Sequence, residues 1–540
     1  MRENKHIVFV ALGFVILFVA ALMRFPGLDA NPPGFWQDEA STGLDAWLLW
    51  HTGRDQAGQF LPILARSFGD FPLAGYRYLS APIVGIFGPT IGNERFMAAL
   101  FGTLTIAAVG IFVAVRYDRP AALGAMLSAT LCPTWLHFSR YGSEAILLPA
   151  TLTIGCALIA VGEKTKRHKL LWAGAASLAL SAYTYHAVKL FLPLWTIGFL
   201  WFVAPTIVRL WKDGQKKHVL GPALVFTVLV LPSVYYALTD GGLARGRTVL
   251  AWYHHPTEVV WRVILNNYLS YFDPSMLFIR GGPAAAQQIP GLGMWNIADL
   301  VPMIVGFVAM MRSTAHRRFA IFVAYWFLLG PLPGGVTYES HNMGRAIGWL
   351  PAPQIISGIG IGVIASWSLT RLRADNLAPR VRGAVLLALL TVGWAATAYA
   401  VYWCTFVRYP RIAQRDFQFD VSQGLLCARR VRKDEKLIVS PGFQVGGVFA
   451  RFLYGDLDGP PGPNQTPIWE PGERKVVRPG ELYVFPAHRP KPERGQEVCK
   501  VVHTPTGTGA AFVYGPPDPA EPEAPPPPLP NAPHTGNLEQ

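Results

Sequence analysis

Long apolar blocks constrain this chain more than anything else in it. They run roughly 17–25 residues, the length an α-helix needs to cross a hydrocarbon core of about 30 Å. Within a bilayer every backbone N–H and C=O must pair inside its own segment, so such blocks are read as helices. The expected spans are 7–24, 94–115, 120–138, 143–162, 169–185, 188–208, 218–238, 297–311, 318–334, 346–368 and 383–404, eleven in all. Composition agrees: 51% of the 540 residues are hydrophobic and only 15% are charged, where soluble proteins carry about a quarter charged. The net charge of +14 would suggest nucleic acid in a soluble protein. Here it reads as basic loops facing anionic membrane lipids, and no basic-aromatic stripe suggests nucleic-acid binding.

The first block, Ile7–Met23 after MRENKH, resembles a secretory signal, and cleavage near Ala20 is conceivable. Its length, and the Arg24-Phe25-Pro26 that follows in place of a small-x-small site, favour an uncleaved first span. Either way the next loop is translocated.

Charge fixes the orientation expected for the rest. With the N-terminus inside and 72–88 left out of the count, the inner loops hold nineteen Lys and Arg, from Arg2 and Lys5 to Arg380 and Arg382. The three short outer loops hold one each: Arg140, Lys189 and Arg345. Counting 72–88 as a span would invert every later loop. That segment is short, contains Arg77 and is broken by Pro82, Gly85 and Gly88, so it is expected to be an amphipathic helix on the outer surface. The fold class is then an α-helical polytopic membrane protein of about eleven spans, covering 1–404, with large outer loops at 25–93 and 239–296. A small soluble α/β domain outside the membrane is expected over 405–514. Its helix-like part is 411–432 and its strand candidates are Lys436–Ser440, Glu481–Phe485, Cys499–His503 and Ala510–Tyr514. From Gly515 a proline-rich stretch reads as a disordered tail, 515–540. Cys132, Cys156 and Cys404 fall in spans and read as packing residues. Cys427 and Cys499 fall in the outer domain, where an oxidising compartment would allow a disulfide. Sequence alone does not bring the two together.

Residues 31–45, NPPGFWQDEASTGLD, follow the first span. The Asn-Pro-Pro-Gly turn ends it, and Asp38 and Glu39 then stand side by side. Ser41 or Thr42 could start a helix behind them, with the acids near its positive end. Three further sparse charged clusters fall on the same outer face: Ser139 to Glu144, Tyr183 to Lys189, and Tyr338 to Arg345. Singly, each has a plain structural reading. The loop acids are solvated between interfacial aromatics, Arg140 pairs with Glu144 four residues on, Lys189 snorkels, and His186 packs. Convergence of all four on one face favours function. An outer cleft has no nucleotide sugars, and no phosphate-binding glycine loop is present. A lipid-phosphate-linked sugar suits the residues. Arg140, Lys189 and Arg345 would stabilise the leaving phosphate, and a carboxylate would take the proton of the attacking acceptor, inverting the anomeric centre in one displacement.

The chain resembles the bacterial GT-C glycosyltransferases, near the protein O-mannosyltransferase and lipid A aminoarabinose transferase group. The motifs are P-P-G-x-x-x-D-E-A (Pro32–Ala40), G-P-T-I-G-N-E-R-F (Gly88–Phe96), H-F-S-R-Y-G-S-E-A-I-L-L-P (His137–Pro149), A-Y-T-Y-H-A-V-K-L (Ala182–Leu190) and E-S-H-N-M-G-R-A-I-G-W-L-P (Glu339–Pro351). The resemblance implies surface helices in the first outer loop, a polyprenyl-phosphate sugar donor, and an exported acceptor that is a protein, lipopolysaccharide, lipid or wall polymer. It implies a bacterial inner membrane. It places Asp38 and Glu39 at the family's first acidic position, as base and substrate binder, and Glu144 near the second, where relatives often carry Asp. Arg140, His186, Lys189, Glu339, His341 and Arg345 are the expected substrate-binding set. A divalent metal stays open, since some members use one and others do not. The competing readings are a lipid-linked-sugar flippase, which should show repeats and midplane charge, and a non-catalytic scaffold for the C-terminal domain.

Overall fold

The computed structural model describes residues 2–68, 70–282, 284–431, 436–440, 446–454, 477, 481–489, 491–492, 495–503 and 509–516. Among these, seven helices are long and apolar enough to cross a membrane: His6–Arg24, Ile91–Arg116, Glu144–Thr165, Val188–Lys212, Lys217–Ala237, Ile347–Leu372 and Leu377–Ile412. The other four expected spans are shorter. Arg119–Leu131, Lys169–Leu180, Leu300–Arg312 and Arg317–Leu329 are helices of 12 or 13 residues, which rise only about 18–20 Å. Each has a short helical piece at one end. The 120–138 segment breaks at Cys132, whose extended backbone precedes Pro133; a residue before proline is pushed out of the helical region.

Lipid-facing and core-facing helices differ as the bilayer requires. His6–Arg24 and Lys217–Ala237 leave nearly all their side chains uncovered, with Phe14, Leu224 and similar residues pointing outward. Ile347–Leu372 is almost wholly enclosed. Its Ala352–Leu372 part packs against Leu300–Arg312 and Arg119–Leu131. Contact there depends on missing side chains: a Cβ on Gly360 would come within 1.8 Å of the Pro302 carbonyl. Such close approach through small residues is how helices associate in lipid, where no hydrophobic drive separates one helix from another. Trp195, Phe199, Phe202, Phe322 and Trp326 fill the space between Val188–Lys212 and Arg317–Leu329.

The 72–88 segment forms the helix Gly75–Phe87. Thirteen residues with no helical piece at either end are too few to cross a bilayer, and Arg77 turns inward to meet Asp45 at 2.8 Å. Among the described residues beyond 435 there are four strands: β1 Lys436–Val439, β2 Glu481–Pro486, β3 Gln496–Val502 and β4 Gly509–Gly515. The sheet order is β1-β2-β4-β3, with β1 and β2 parallel and the other pairs antiparallel. Helix Phe419–Val431 covers it. Cys427 of that helix is bonded to Cys499 of β3, so the two outer cysteines do pair. The expected tail lies outside the described residues from 517 on.

The sheet unit sits on the loop that follows the first span. Phe35 stacks on Phe452, with ring centres 5.4 Å apart, and meets Phe449 edge-on. The Phe35 N–H donates to the Phe417 carbonyl at 2.8 Å.

Candidate active site

Two arginines shape the turn that carries the acidic pair. Arg95 donates to the carbonyls of Leu28, Pro32 and Gly34. Arg140 donates to those of Met23, Arg24, Pro26, Gly27 and Asn31. Both side chains are buried. A proline-rich turn has few N–H groups to pair its carbonyls, and buried carbonyls must be satisfied; these guanidinium groups do most of it. The expected Arg140–Glu144 pair is therefore not formed, and Arg140 is a structural clamp with no face on the cleft.

Helix Gln37–Thr52 starts earlier than Ser41, with Trp36 as its N-cap. This puts Glu39 at the third helical position, where its Oε2 accepts from the Trp36 N–H at 2.8 Å. The rest of the carboxylate is also taken. Arg95 binds both oxygens, at 2.7 and 2.9 Å, and the Gly142 N–H donates to Oε1 at 2.8 Å. Glu39 has no exposed surface. It holds the acidic turn to the Tyr141–Ser143 turn and is no free base, which corrects the expectation from sequence. Gly142 fits there because it lacks a side chain: a Cβ would meet the Glu94 carboxylate at 1.9 Å.

Asp38, one residue earlier, points the other way. It opens into a cleft of about 360 Å³ lined also by Glu144, Asp70, Arg77, Arg245, Tyr141, Tyr185 and His186. Its side chain is exposed within the cleft, and the cleft walls crowd around it. That enclosure pushes its pKa above the usual aspartate value; the Trp36 side chain, Arg245 and Arg77 pull it partly back, and Asp70 opposes them. Arg245 is paired with Asp70 at 2.9 Å. Arg77 gives one nitrogen to Asp45 and leaves Nη1 without a partner. His186 is uncharged, its pKa drawn down to about 3, first by burial and then by Lys189 and Arg245.

A second recess of about 290 Å³ opens beside the cleft and shares Tyr185, His186 and Arg245 with it. Lys189 and Arg345 line it, and its far side is apolar, with Leu190, Leu243, Val249 and Val336. Arg345 is held by Thr337 Oγ1 at 2.9 Å and by Glu339 at 3.1 Å. Glu339 is half exposed and acts on Arg345. His341 bonds Ser340 and lines neither cavity. Of the nine residues expected from sequence, the structure gathers Asp38, Glu144, His186, Lys189 and Arg345 around the two cavities, with Glu339 behind Arg345. It sets Glu39, Arg140 and His341 apart. Sequence reading missed Arg245, Asp70, Arg77, Tyr141 and Tyr185. The first three lie in long outer loops, and only the count of charges in otherwise apolar loops signals them.

Among the described residues, no three His, Cys, Asp or Glu side chains come together as a metal set. The cleft carboxylates are interleaved with Arg77 and Arg245, so the residues present do not build a metal centre, and no step below passes through one.

Helical spans, surface helices in the loop after the first span, a cleft at one end of the spans and a small sheet domain over that loop define an integral membrane protein of the GT-C fold. The same fold is found in ArnT from Cupriavidus metallidurans, in the apo state and bound to undecaprenyl phosphate, each with a TM-score of 0.51 and 13% identity over 95% of this chain and 98% of that one. It is found also in the archaeal oligosaccharyltransferase AglB from Archaeoglobus fulgidus, in complex with an inhibitory peptide and a dolichol-phosphate. That match has a TM-score of 0.50 and 12% identity over 96% of this chain and 75% of that one. No family model matches the chain, and no curated protein sequence does. At this level of identity the likeness is one of fold.

Proposed function

We propose that this protein is a membrane glycosyltransferase that moves a sugar from a polyprenyl-phosphate donor to an exported acceptor. The observation that carries the reading is the junction of an acidic cleft with a cationic, apolar-backed recess across Tyr185, His186 and Arg245. The recess suits a donor whose phosphate lies against Arg245, Arg345 and Lys189 while its polyprenyl chain runs along the apolar side. The sugar then projects into the cleft. There Asp38 takes the proton from the acceptor hydroxyl or amine. The acceptor atom bonds to the anomeric carbon, and the carbon–oxygen bond to phosphate breaks, its electron pair leaving with the phosphate. The cations stabilise that growing charge, and attack opposite the phosphate inverts the centre. Glu144 faces the same space and orients the acceptor. A neutral His186 leaves the phosphate charge to the three cations. The fold shared with ArnT, which has been seen bound to undecaprenyl phosphate, supports this class of donor.

In this reading the membrane part is 1–404, the outer domain 405–514 and the tail 515–540. The membrane is the inner membrane of a bacterium. The basic helix ends lie in the cytoplasm, as does the N-terminus, and the cleft and sheet domain lie outside; the concentration of Lys and Arg on one set of loops supports that orientation.

The test is transfer from radiolabelled polyprenyl-phosphate sugars to envelope acceptors by reconstituted protein. Asp38→Asn, shown folded by thermal unfolding, is expected to lose about 100-fold or more, the usual worth of a general base. Equal transfer by the two proteins would remove Asp38 from the role.

A further inference from the structure

The face opposite the cleft holds a second cavity that the transfer reaction does not use. Helix Glu144–Thr165 begins at the cleft and ends there, so Glu144 and Glu163 are separated by about 28 Å along it. A polar cavity of about 650 Å³ lies at this basic end. Glu163 organises it, accepting from Arg116 at 2.6 Å, Arg209 at 3.2 Å and Thr206 at 2.5 Å. One carboxylate thus fixes two guanidinium groups that carry more charge than it cancels. Lys164 and Lys166 stand at the rim, and Asp213 is the other acid. Buried polar atoms here have no partner: Arg116 Nε, His168 Nδ1, Gln215 Oε1 and His218 Nδ1. The two imidazoles stack 4.0 Å apart. Of the unpartnered atoms, Arg116 Nε is a donor and Gln215 Oε1 an acceptor, and unpaired buried polar atoms are costly and call for a ligand or water.

Leu171, Thr206 and Leu210 line this cavity and also an apolar groove of about 320 Å³ that runs toward the membrane centre past Val203, Ala223 and Phe226. A charged pocket continuous with an apolar groove has the shape and polarity of one amphiphile. We infer that this recess binds an anionic phospholipid of the facing leaflet, its phosphate against Arg116 and Arg209 and an acyl chain in the groove. Charge complementarity selects the headgroup, since Lys and Arg at a membrane surface attract anionic lipid.

Native mass spectrometry of the intact protein tests this, titrating phosphatidylglycerol and phosphatidylcholine of identical chains, with inorganic phosphate as competitor. The protein is expected to hold one phosphatidylglycerol in preference to phosphatidylcholine. The double variant Lys164→Gln/Arg209→Gln should lose that preference by about 30-fold. Ala223→Trp, which fills the groove and leaves the charges, should weaken both lipids alike. Each variant is checked for folding by its unfolding temperature, and if the double variant does not fold, Ala223→Trp decides. Equal binding of the two lipids by wild type, or unchanged binding in the folded variants, overturns the inference. Displacement of phosphatidylglycerol by inorganic phosphate would make this a free-anion site and overturn the lipid assignment.

Discussion

Asp38 and Glu39 are adjacent in sequence and opposite in role. Successive helical residues point about 100° apart, so one of two neighbouring acids at a helix start faces a cleft and the other faces the core. The pair was legible in the sequence; which member was free was not, because that depends on Arg95, more than fifty positions away. The spacing of Glu39 from Trp36 was a usable signal, being that of a residue reaching back to cap its own helix. Asp38 carries a pH consequence. In the proposed reaction Asp38 must be unprotonated to act as base, so kcat/KM is expected to fall as pH drops through its pKa, which enclosure by the cleft walls raises above the ordinary 3.8. Arg245 holds it down, and Asp70, which Arg245 neutralises, pushes it up. Arg245→Gln is therefore expected to move the acid limb of the kcat/KM profile to higher pH, apart from any loss in height through weaker donor binding. A limb that stays in place would show that Arg245 does not act on Asp38.

At the scale of elements, charge counting did what hydropathy could not. It separated Gly75–Phe87 from the spans, and the helix is too short to cross and carries a buried Arg77–Asp45 pair. The four strands were legible because alternation with short apolar runs survives without tertiary information. The short helices were not, since a hydropathy window averages across the break at Pro133. The turn after the third expected span shows the limit most clearly: its motif drew attention to Arg140 as a substrate cation, whereas both its Nη atoms donate to backbone carbonyls, five in all. Arg140→Lys keeps the charge and loses the planar fork. It is expected to destabilise the protein by about 3 kcal/mol or more, since hydrogen bonds to charged groups contribute roughly 1.5–3 kcal/mol each. A lower unfolding temperature in detergent and faster proteolysis within 25–93 would register it; wild-type stability in both would mean that the loop is held by other contacts.

Over the whole molecule, the outer domain is cross-linked through Cys427–Cys499, 72 residues apart. Closing a loop of that size in the unfolded chain is worth about 4 kcal/mol. Cys427→Ser/Cys499→Ser, or reductant on the wild type, is expected to lower the unfolding temperature measured by the domain's aromatic signals, and an unchanged temperature would show that the crosslink constrains nothing. That domain also completes the first loop, through Phe35 on Phe452 and Gln418 on Gln37, contacts that join positions about 380 to 420 residues apart. At 5–20 residues per second a ribosome needs on the order of half a minute to travel that distance. The turn bearing Asp38 is thus among the first parts of the chain to be made and among the last to be finished. A nascent or prematurely terminated chain carries the Asp38 turn without the contacts that hold it, and the turn is complete only when the ribosome is nearly done.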